Sequence, residues 1–241
     1  MCDPATTVSE RPVPLPPWWL EGEGYIFPLK SSRDHALRCG FLPPSEQADF
    51  LGGWGVWMLV RYRESPVGPY DELLYIPGCS RRGWRLSWQI SKIYVSTQAS
   101  ARAGIRNWGL PKEVAPFEFT EDKGALKVRV GEASDPLFTA TLRVYGPRFP
   151  IVSLGTPPSL RQPVRERLPA TEYTQLPPVR EGEWLQLPVL GRGWGWSRLV
   201  SLGDAQADPS RFPDVIESGS LRTGIACLPF RMNFSVPRQL T

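Results

Sequence analysis

The prolines constrain this chain more than any other feature. There are 27 among 241 residues, spread along the whole length, about twice the usual share. Proline has no backbone N–H, and its ring clashes with the preceding helical turn. Long helices cannot survive that spacing; short strands and many turns can. The apolar residues agree. "GWGVWMLVRYRE" (53–64) alternates Val56, Met58, Val60 and Tyr62 with Trp57, Leu59, Arg61 and Arg63, as a strand with two unlike faces would. "YDELLYIPG", "WRLSWQISKIYVS", "PLFTATLRVYG", "EWLQLPVLG", "WSRLVSLG" and "GIACLPFRMNFSVP" read as further strands. "FEFTEDKGALKVRV" reads as a hairpin turning at Asp122-Lys123-Gly124, with glycine where positive φ is cheap. The one good internal helix is "STQASARAGIRNWG": Ser96 or Thr97 caps it, alanines fill it and Gly109 ends it. The expected fold is mainly β (α+β), predominantly antiparallel, with one or two short helices.

All-β chains of this length commonly form a single domain. Hydrophobic content of 41% and charged content of 22% are ordinary for a globular protein. No repeat of fixed period and no domain boundary is visible. Residues 1–17, ending in "RPVPLPP", read as a flexible or polyproline arm. Residues 18–241 read as one domain, and "GTPPSLRQPVRERLPATEY" (155–173) as a long polar loop within it. "GRGWGW" (191–196) lacks the Gly-x-Gly-x-x-Gly spacing and a following helix, so it reads as a strand end or bulge rather than a phosphate loop.

Several function classes drop out. The net charge is +4, but the arginines are scattered and no recognition motif accompanies them, so no nucleic-acid partner is expected. Cys2, Cys39, Cys79 and Cys227 are isolated, which fits reduced thiols rather than a disulfide framework or zinc ribbon. No apolar run is long enough to span a bilayer and "MCDPATTVSE" is unlike a leader; a cytoplasmic protein with no membrane partner is expected. His35 is the only histidine, which removes histidine triads and multi-histidine metal centres. It reads as a surface residue. No metal and no cofactor are expected, so catalysis would run on lysine, carboxylates, tyrosine or backbone groups.

Lysine is scarce: Lys30, Lys92, Lys112, Lys123 and Lys127 are the five. Lys112 stands out because it sits amid apolar residues in "NWGLPKEVAPFEF" (107–119). Taken alone, a lysine after a proline is an ordinary solvated loop residue. The run "VGPYDELLYIPG" (67–78) followed by "SKIYVSTQASARAGIRNWGLPKEVAPFEF" (91–119), however, resembles the acetoacetate decarboxylase family. That family places an aromatic-Gly-x-Pro-Lys segment after a short helix, matched here by Trp108-Gly109-Leu110-Pro111-Lys112. Its upstream Gly-x-Tyr-x-Glu element is matched by Gly68, Tyr70 and Glu72. The matching runs cover roughly a fifth of the chain.

The resemblance implies a cone-like β-barrel enclosing a pocket, and a Schiff base formed by Lys112, with Glu72 as a second catalytic residue that supplies a supporting charge. Glu72 by itself reads equally as a surface acid beside a turn. The resemblance further implies that Lys112 is desolvated, as the Schiff-base lysine of these decarboxylases is. Its physical sense is plain. An ordinary lysine amine is neutral in only roughly four molecules in ten thousand at pH 7, and an apolar pocket disfavours the charged form. A neutral amine attacks a ketone, and the resulting iminium withdraws electrons from the adjacent carbon.

Three departures from the family pattern bear on the reaction. The second lysine that follows the Schiff-base lysine is Glu113 here; in an extended segment its side chain would point away from Lys112. Where the family has an arginine after a Tyr-x-Phe run, this chain has Tyr25-Ile26-Phe27 and then Lys30, a candidate for holding a substrate carboxylate. By ungapped spacing a further family glutamate falls at Trp57, which cannot do acid–base work. Tyr70, Trp57 and Trp108 join Lys30 as candidate substrate-binding residues. The implied function is a lyase acting on a β-keto acid or polyketide-like carbonyl compound by decarboxylation or aldol and dehydration chemistry. The alternative is a small-molecule binding protein that keeps the pocket without the reaction. The family and the exposed edges of a β-rich chain also imply a homo-oligomer.

Overall fold

The computed structural model describes residues 12–82, 85–152, 159–163, 184–188 and 192–240. The chain enters with β1 (Trp18–Ser31) and passes through α1 (Arg33–Cys39) and α2 (Pro44–Gln47) into β2 (Phe50–Glu64) and β3 (Tyr70–Ile76). Next come β4 (Cys79–Arg82), β5 (Arg85–Trp88), β6 (Lys92–Val95), α3 (Gln98–Trp108) and β7 (Lys112–Val114). The hairpin strands β8 (Phe117–Asp122) and β9 (Ala125–Glu132) lead into β10 (Asp135–Val152). β11 (Ser159–Pro163), β12 (Trp184–Pro188), β13 (Gly193–Ala207), β14 (Thr223–Phe234) and β15 (Arg238–Leu240) complete the sheet.

Among the described residues the fifteen strands form one sheet, ordered β15-β12-β11-β5-β4-β2-β1-β14-β13-β10-β9-β8, with β3, β6 and β7 branching from β2. It curls into a half-barrel. Alternation sorts each strand into two faces, and β2 and β3 bury residues on both of theirs. Trp57 and Leu59 of β2 join Phe27, Leu29, Leu73, Tyr75, Phe138 and Val200 in one core. Val60 and Tyr62, one residue out of phase, join Tyr70, Leu74, Ile93 and Val95 in a second. The second core also takes Ala101, Ala103 and Trp108 from α3, and Leu160, Leu185 and Leu187 from β11 and β12.

The β-rich fold expected from the sequence is present, with four differences. Among the described residues there are three short helices rather than one or two. Ser32 caps α1 by accepting from the His35 backbone N–H at 3.2 Å, and α1 buries Ala36 beside Phe50. Helices α1 and α2 are too short to show a helical period. Two pairings, β6 with β7 and β11 with β5, are parallel. The hairpin turn is the two-residue Lys123-Gly124, since Asp122 and Ala125 already pair, and Lys123 itself takes φ 48°. Residues 159–163 of the expected 155–173 loop are strand β11, paired with β12; the rest of that stretch lies outside the described residues.

Residues 193–196 of "GRGWGW" open β13, with a register shift between Gly195 and Ser197, the bulge expected. His35 is half-buried, its Nε2 3.3 Å from Ser218 Oγ. Residues 1–11 of the expected N-terminal arm lie outside the described residues, but Pro14 is anchored: its carbonyl accepts from Trp18 Nε1 and Asn107 Nδ2. Among the described residues no helix is long and apolar enough to cross a membrane.

Candidate active site

Helix α3 exists to deliver a turn. Thr97 caps its start, Oγ1 accepting from the Ser100 N–H at 3.3 Å. Gly109 ends it at φ 66°, a left-handed conformation cheap only for glycine, and the Leu110 N–H returns to the Gly104 carbonyl. The chain thereby reverses and enters β7 beside β6, with Lys112 opposite Ile93. On the other side of β6, Glu72 of β3 lies opposite Val95. Cross-strand partners share a face, so Lys112 and Glu72 both project toward α3.

They meet there. Lys112 Nζ lies 2.8 Å from Glu72 Oε2, with the two side chains 3% and 6% exposed. Nζ also donates to Ser100 Oγ at 3.1 Å and sits 5.0 Å from the centre of the Tyr70 ring. Tyr62 Oη donates to Glu72 Oε1 at 3.5 Å, and the Tyr62 and Tyr70 rings tilt together at 4.6 Å. Space for the lysine stem depends on Gly104: a Cβ there would lie 2.4 Å from Lys112 Cδ and 2.7 Å from Cε. Burial, and after it the Glu72 charge, pushes both the Tyr62 and the Tyr70 phenols well above the usual tyrosine range. Both therefore remain O–H donors at neutral pH.

Of the residues singled out in the sequence, the fold brings together Lys112, Glu72 and Tyr70. Glu113 points the other way, half-exposed, and pairs with Lys92 Nζ at 2.6 Å. Trp57 is on the wrong face of β2: it stacks on Phe27 at 4.5 Å and its Nε1 donates to Ser220 Oγ at 2.8 Å. A strand alternates every residue, so the ungapped count landed one position out of phase with the site. Lys30 is exposed, its Nζ 5.9 Å from the centre of the Trp54 ring. Trp108 shares the apolar core of Tyr62 and Tyr70, but its ring is wedged edge-on between Trp18 and Phe234 and its Nε1 donates to the Ser235 carbonyl. It is an anchor for α3.

Tyr62, Ser100 and Gly104 were not picked out from the sequence. Tyr62 has a partial signal, because it lies on the same β2 face as Val60. Ser100 and Gly104 fall three and seven residues after the Thr97 cap, so one turn-by-turn helix face carries both. That spacing could have flagged them. What faces them could not be read locally.

No protein-family model matches the chain. Protein NEOXANTHIN-DEFICIENT 1 of Oryza sativa subsp. japonica is 30% identical over 108 residues, 44% of this chain and 35% of that protein. The match therefore spans about a third of that relative's length. Among solved structures, the acetoacetate decarboxylase of Legionella pneumophila superposes with a TM-score of 0.68 at 13% identity, covering 96% of this chain and 90% of that one. The enduracididine biosynthesis enzyme MppR complexed with pyruvate superposes with a TM-score of 0.64 at 14% identity, covering 98% and 95%. An acetoacetate decarboxylase-like enzyme from Sphingomonas wittichii gives 0.62 at 14%, covering 95% and 94%. At such identities the likeness is one of fold. The chain has the acetoacetate decarboxylase-like fold.

Proposed function

We propose that the protein is a Schiff-base enzyme acting on a keto acid or related carbonyl compound, with Lys112 as nucleophile and Glu72 as its proton acceptor. The observation that carries this reading is the buried 2.8 Å contact between Lys112 Nζ and Glu72 Oε2. A lysine pointing into bulk solvent would have argued for the opposite. Glu72 is placed to take a proton from Nζ, freeing the lone pair to attack the substrate carbonyl carbon. The carbinolamine then loses its oxygen as water, using the proton Glu72 had stored, and leaves an iminium.

The iminium accepts the electron pair released at the neighbouring carbon, whether a carboxylate departs as CO₂ or an α-proton is removed for aldol chemistry. Protonation of the enamine and hydrolysis by water return the amine. Tyr62 and Tyr70, kept protonated by burial, are donors for the carbonyl or carboxylate oxygen. The complexes of the neighbour MppR with pyruvate and with the condensation product of pyruvate and imidazole 4-carboxaldehyde support the choice of substrate class.

Borohydride added with acetoacetate or pyruvate should leave a permanent mass adduct on the peptide containing "GLPKEVAPF", and Lys112→Ala should abolish it. Lys112→Arg should also fail, because a guanidinium stays protonated. An adduct on Lys30 or Lys92, or turnover surviving in Lys112→Ala, would sink the mechanism. One feature favours the second reading, a non-catalytic binder: Nζ already has both Glu72 and Ser100 as partners, as a purely structural ion pair would. Ligand-induced thermal stabilisation without any adduct would select it.

A further inference from the structure

Away from Lys112 the ends of β1, β14, β13 and β10 form a four-stranded wing, paired in that order through residues 18–22, 230–234, 193–196 and 150–152. One face of the wing is packed. Trp18, Leu20, Phe230, Met232 and Phe234 join the core that also takes Trp108 of α3. The opposite face is open: Trp19 is 69% exposed, Trp194 56%, Val152 51% and Trp196 44%. These residues are neighbours. Trp194 lies opposite both Val152 and Arg231, Trp196 lies opposite Pro150, and Glu21, two residues after Trp19, lies opposite Arg231. Cross-strand partners and residues two apart on a strand share a face.

A contiguous exposed apolar patch marks an interaction surface. The three tryptophans expose roughly 400 Å² between them, half of the about 800 Å² that a specific interface takes from each partner. Val152, Pro150 and the flanking arginines add to it, and tryptophan and arginine are the residues that dominate interface energetics. The arrangement of charge identifies the partner. Carboxylates stand at the β1 side, where Glu21 pairs with Arg231 Nε at 2.5 Å and Glu23 pairs with Arg63. At the β10 side stands Arg148, its guanidinium 5.2 Å from the centre of the Trp196 ring and without a carboxylate partner among the described residues. We propose that this face binds a second copy of the chain, about a two-fold axis running along the strands between β14 and β13.

That axis lays β1 of each copy over β10 of the other and β13 over β14. Glu23 then faces Arg148, Glu21 faces Val152, and Trp194 faces Arg231, a cation over an aromatic ring. The contact is isologous, so each pairing occurs twice. A lipid surface suits the face less well, because Glu21 and Glu23 would be desolvated against it with no new cation to meet. The contact places the homo-oligomer expected from the sequence on a sheet face rather than on a strand edge, and it is independent of the Lys112 reading.

The full chain is tested by light scattering at tens of micromolar. The wild-type protein should show twice the chain mass, and Trp194→Glu should show the chain mass with an unchanged far-UV circular dichroism spectrum. Arg148→Glu and Glu23→Lys should each weaken self-association about tenfold or more, since like charges then face one another. Mixing those two variants should restore a dimer near wild-type strength, because every facing pair is opposite in sign again. A monomeric wild type overturns the proposal, as does an assembly that Trp194→Glu leaves intact; a larger assembly supports it only if Trp194→Glu halves its size. A mixture no stronger than its components also overturns it. Tryptophan emission that shifts with anionic lipid vesicles, in a protein that does not self-associate, assigns the face to a membrane instead. If Trp194→Glu does not fold, the mixing experiment decides the matter.

Discussion

At the scale of single residues, Lys112 and Glu72 depend on one another. Two buried charges repay their desolvation only while paired, and removing one leaves the other stranded, at a cost of about 3–5 kcal/mol. Glu72→Leu and Lys112→Met should each lower the urea-unfolding free energy by that order. The double variant should recover most of the loss, because apolar pairs of similar volume replace buried ion pairs at little cost. Additive losses in the double variant would show that the 2.8 Å contact carries no coupling. Glu113→Gln should change little, since its partner Lys92 holds it at a half-exposed position and such pairs contribute about 1 kcal/mol or less.

Gly104 makes a sharper case. Alanine there gains about 1 kcal/mol in helix propensity, yet its Cβ would overlap the Lys112 stem. Overpacking of this kind costs roughly 1–3 kcal/mol. Gly104→Ala should therefore be neutral to destabilising in the wild-type chain and should weaken imine trapping. In a Lys112→Ala background it should become stabilising. A thermal-melt double-mutant cycle with no coupling would remove Gly104 from the site.

At the scale of elements, α3 is the positioning device, fixed at both ends. The Thr97 hydroxyl accepts from the N–H of Ser100, and the hydroxyl of that same Ser100 receives Lys112 Nζ. Thr97→Ala should cost about 1 kcal/mol, the usual price of a lost N-cap. It should also reduce trapping at Lys112 more than Thr97→Ser, which restores an oxygen acceptor. Equal trapping in both variants would mean that the cap stabilises the helix without steadying the site.

At the scale of the whole molecule, tyrosine burial sets an alkaline limit. Burial pushes the phenols of Tyr25, Tyr62, Tyr70, Tyr75 and Tyr94 upward, Tyr75 to about 12. An unfolded chain releases these protons near pH 10. Between pH 10 and the folded values the native state therefore binds more protons, and stability falls as pH rises. The contribution is fully present below pH 10 and is lost on going toward pH 12, about 3 kcal/mol for Tyr75 alone. Urea midpoints should hold between pH 8 and 9.5 and drop steeply by pH 11, with phenolate absorbance at 295 nm lagging behind free tyrosine until unfolding. A flat midpoint to pH 11 would contradict this.

The sequence by itself determined most of the elements, and its resemblance to a known family marked two residues of the site. Proline spacing forbade long helices, alternation in 53–64 produced β2, and Thr97 and Gly109 bounded α3, because each of these acts through the local backbone. The run Trp108 to Lys112 marked the lysine, and Gly68, Tyr70 and Glu72 marked its carboxylate partner. The tertiary structure decided everything that depends on which face meets which. Trp57 and Tyr62 sit on one strand, yet only Tyr62 reaches Glu72, since a displacement of one residue reverses a strand side chain. Lys30 lies opposite Trp54 of β2 and stays exposed with its Nζ near that ring. Residues 159–163 became a strand only through pairing with 184–188. Local propensity has no term for a neighbour twenty or a hundred residues away, and those neighbours assembled the candidate site.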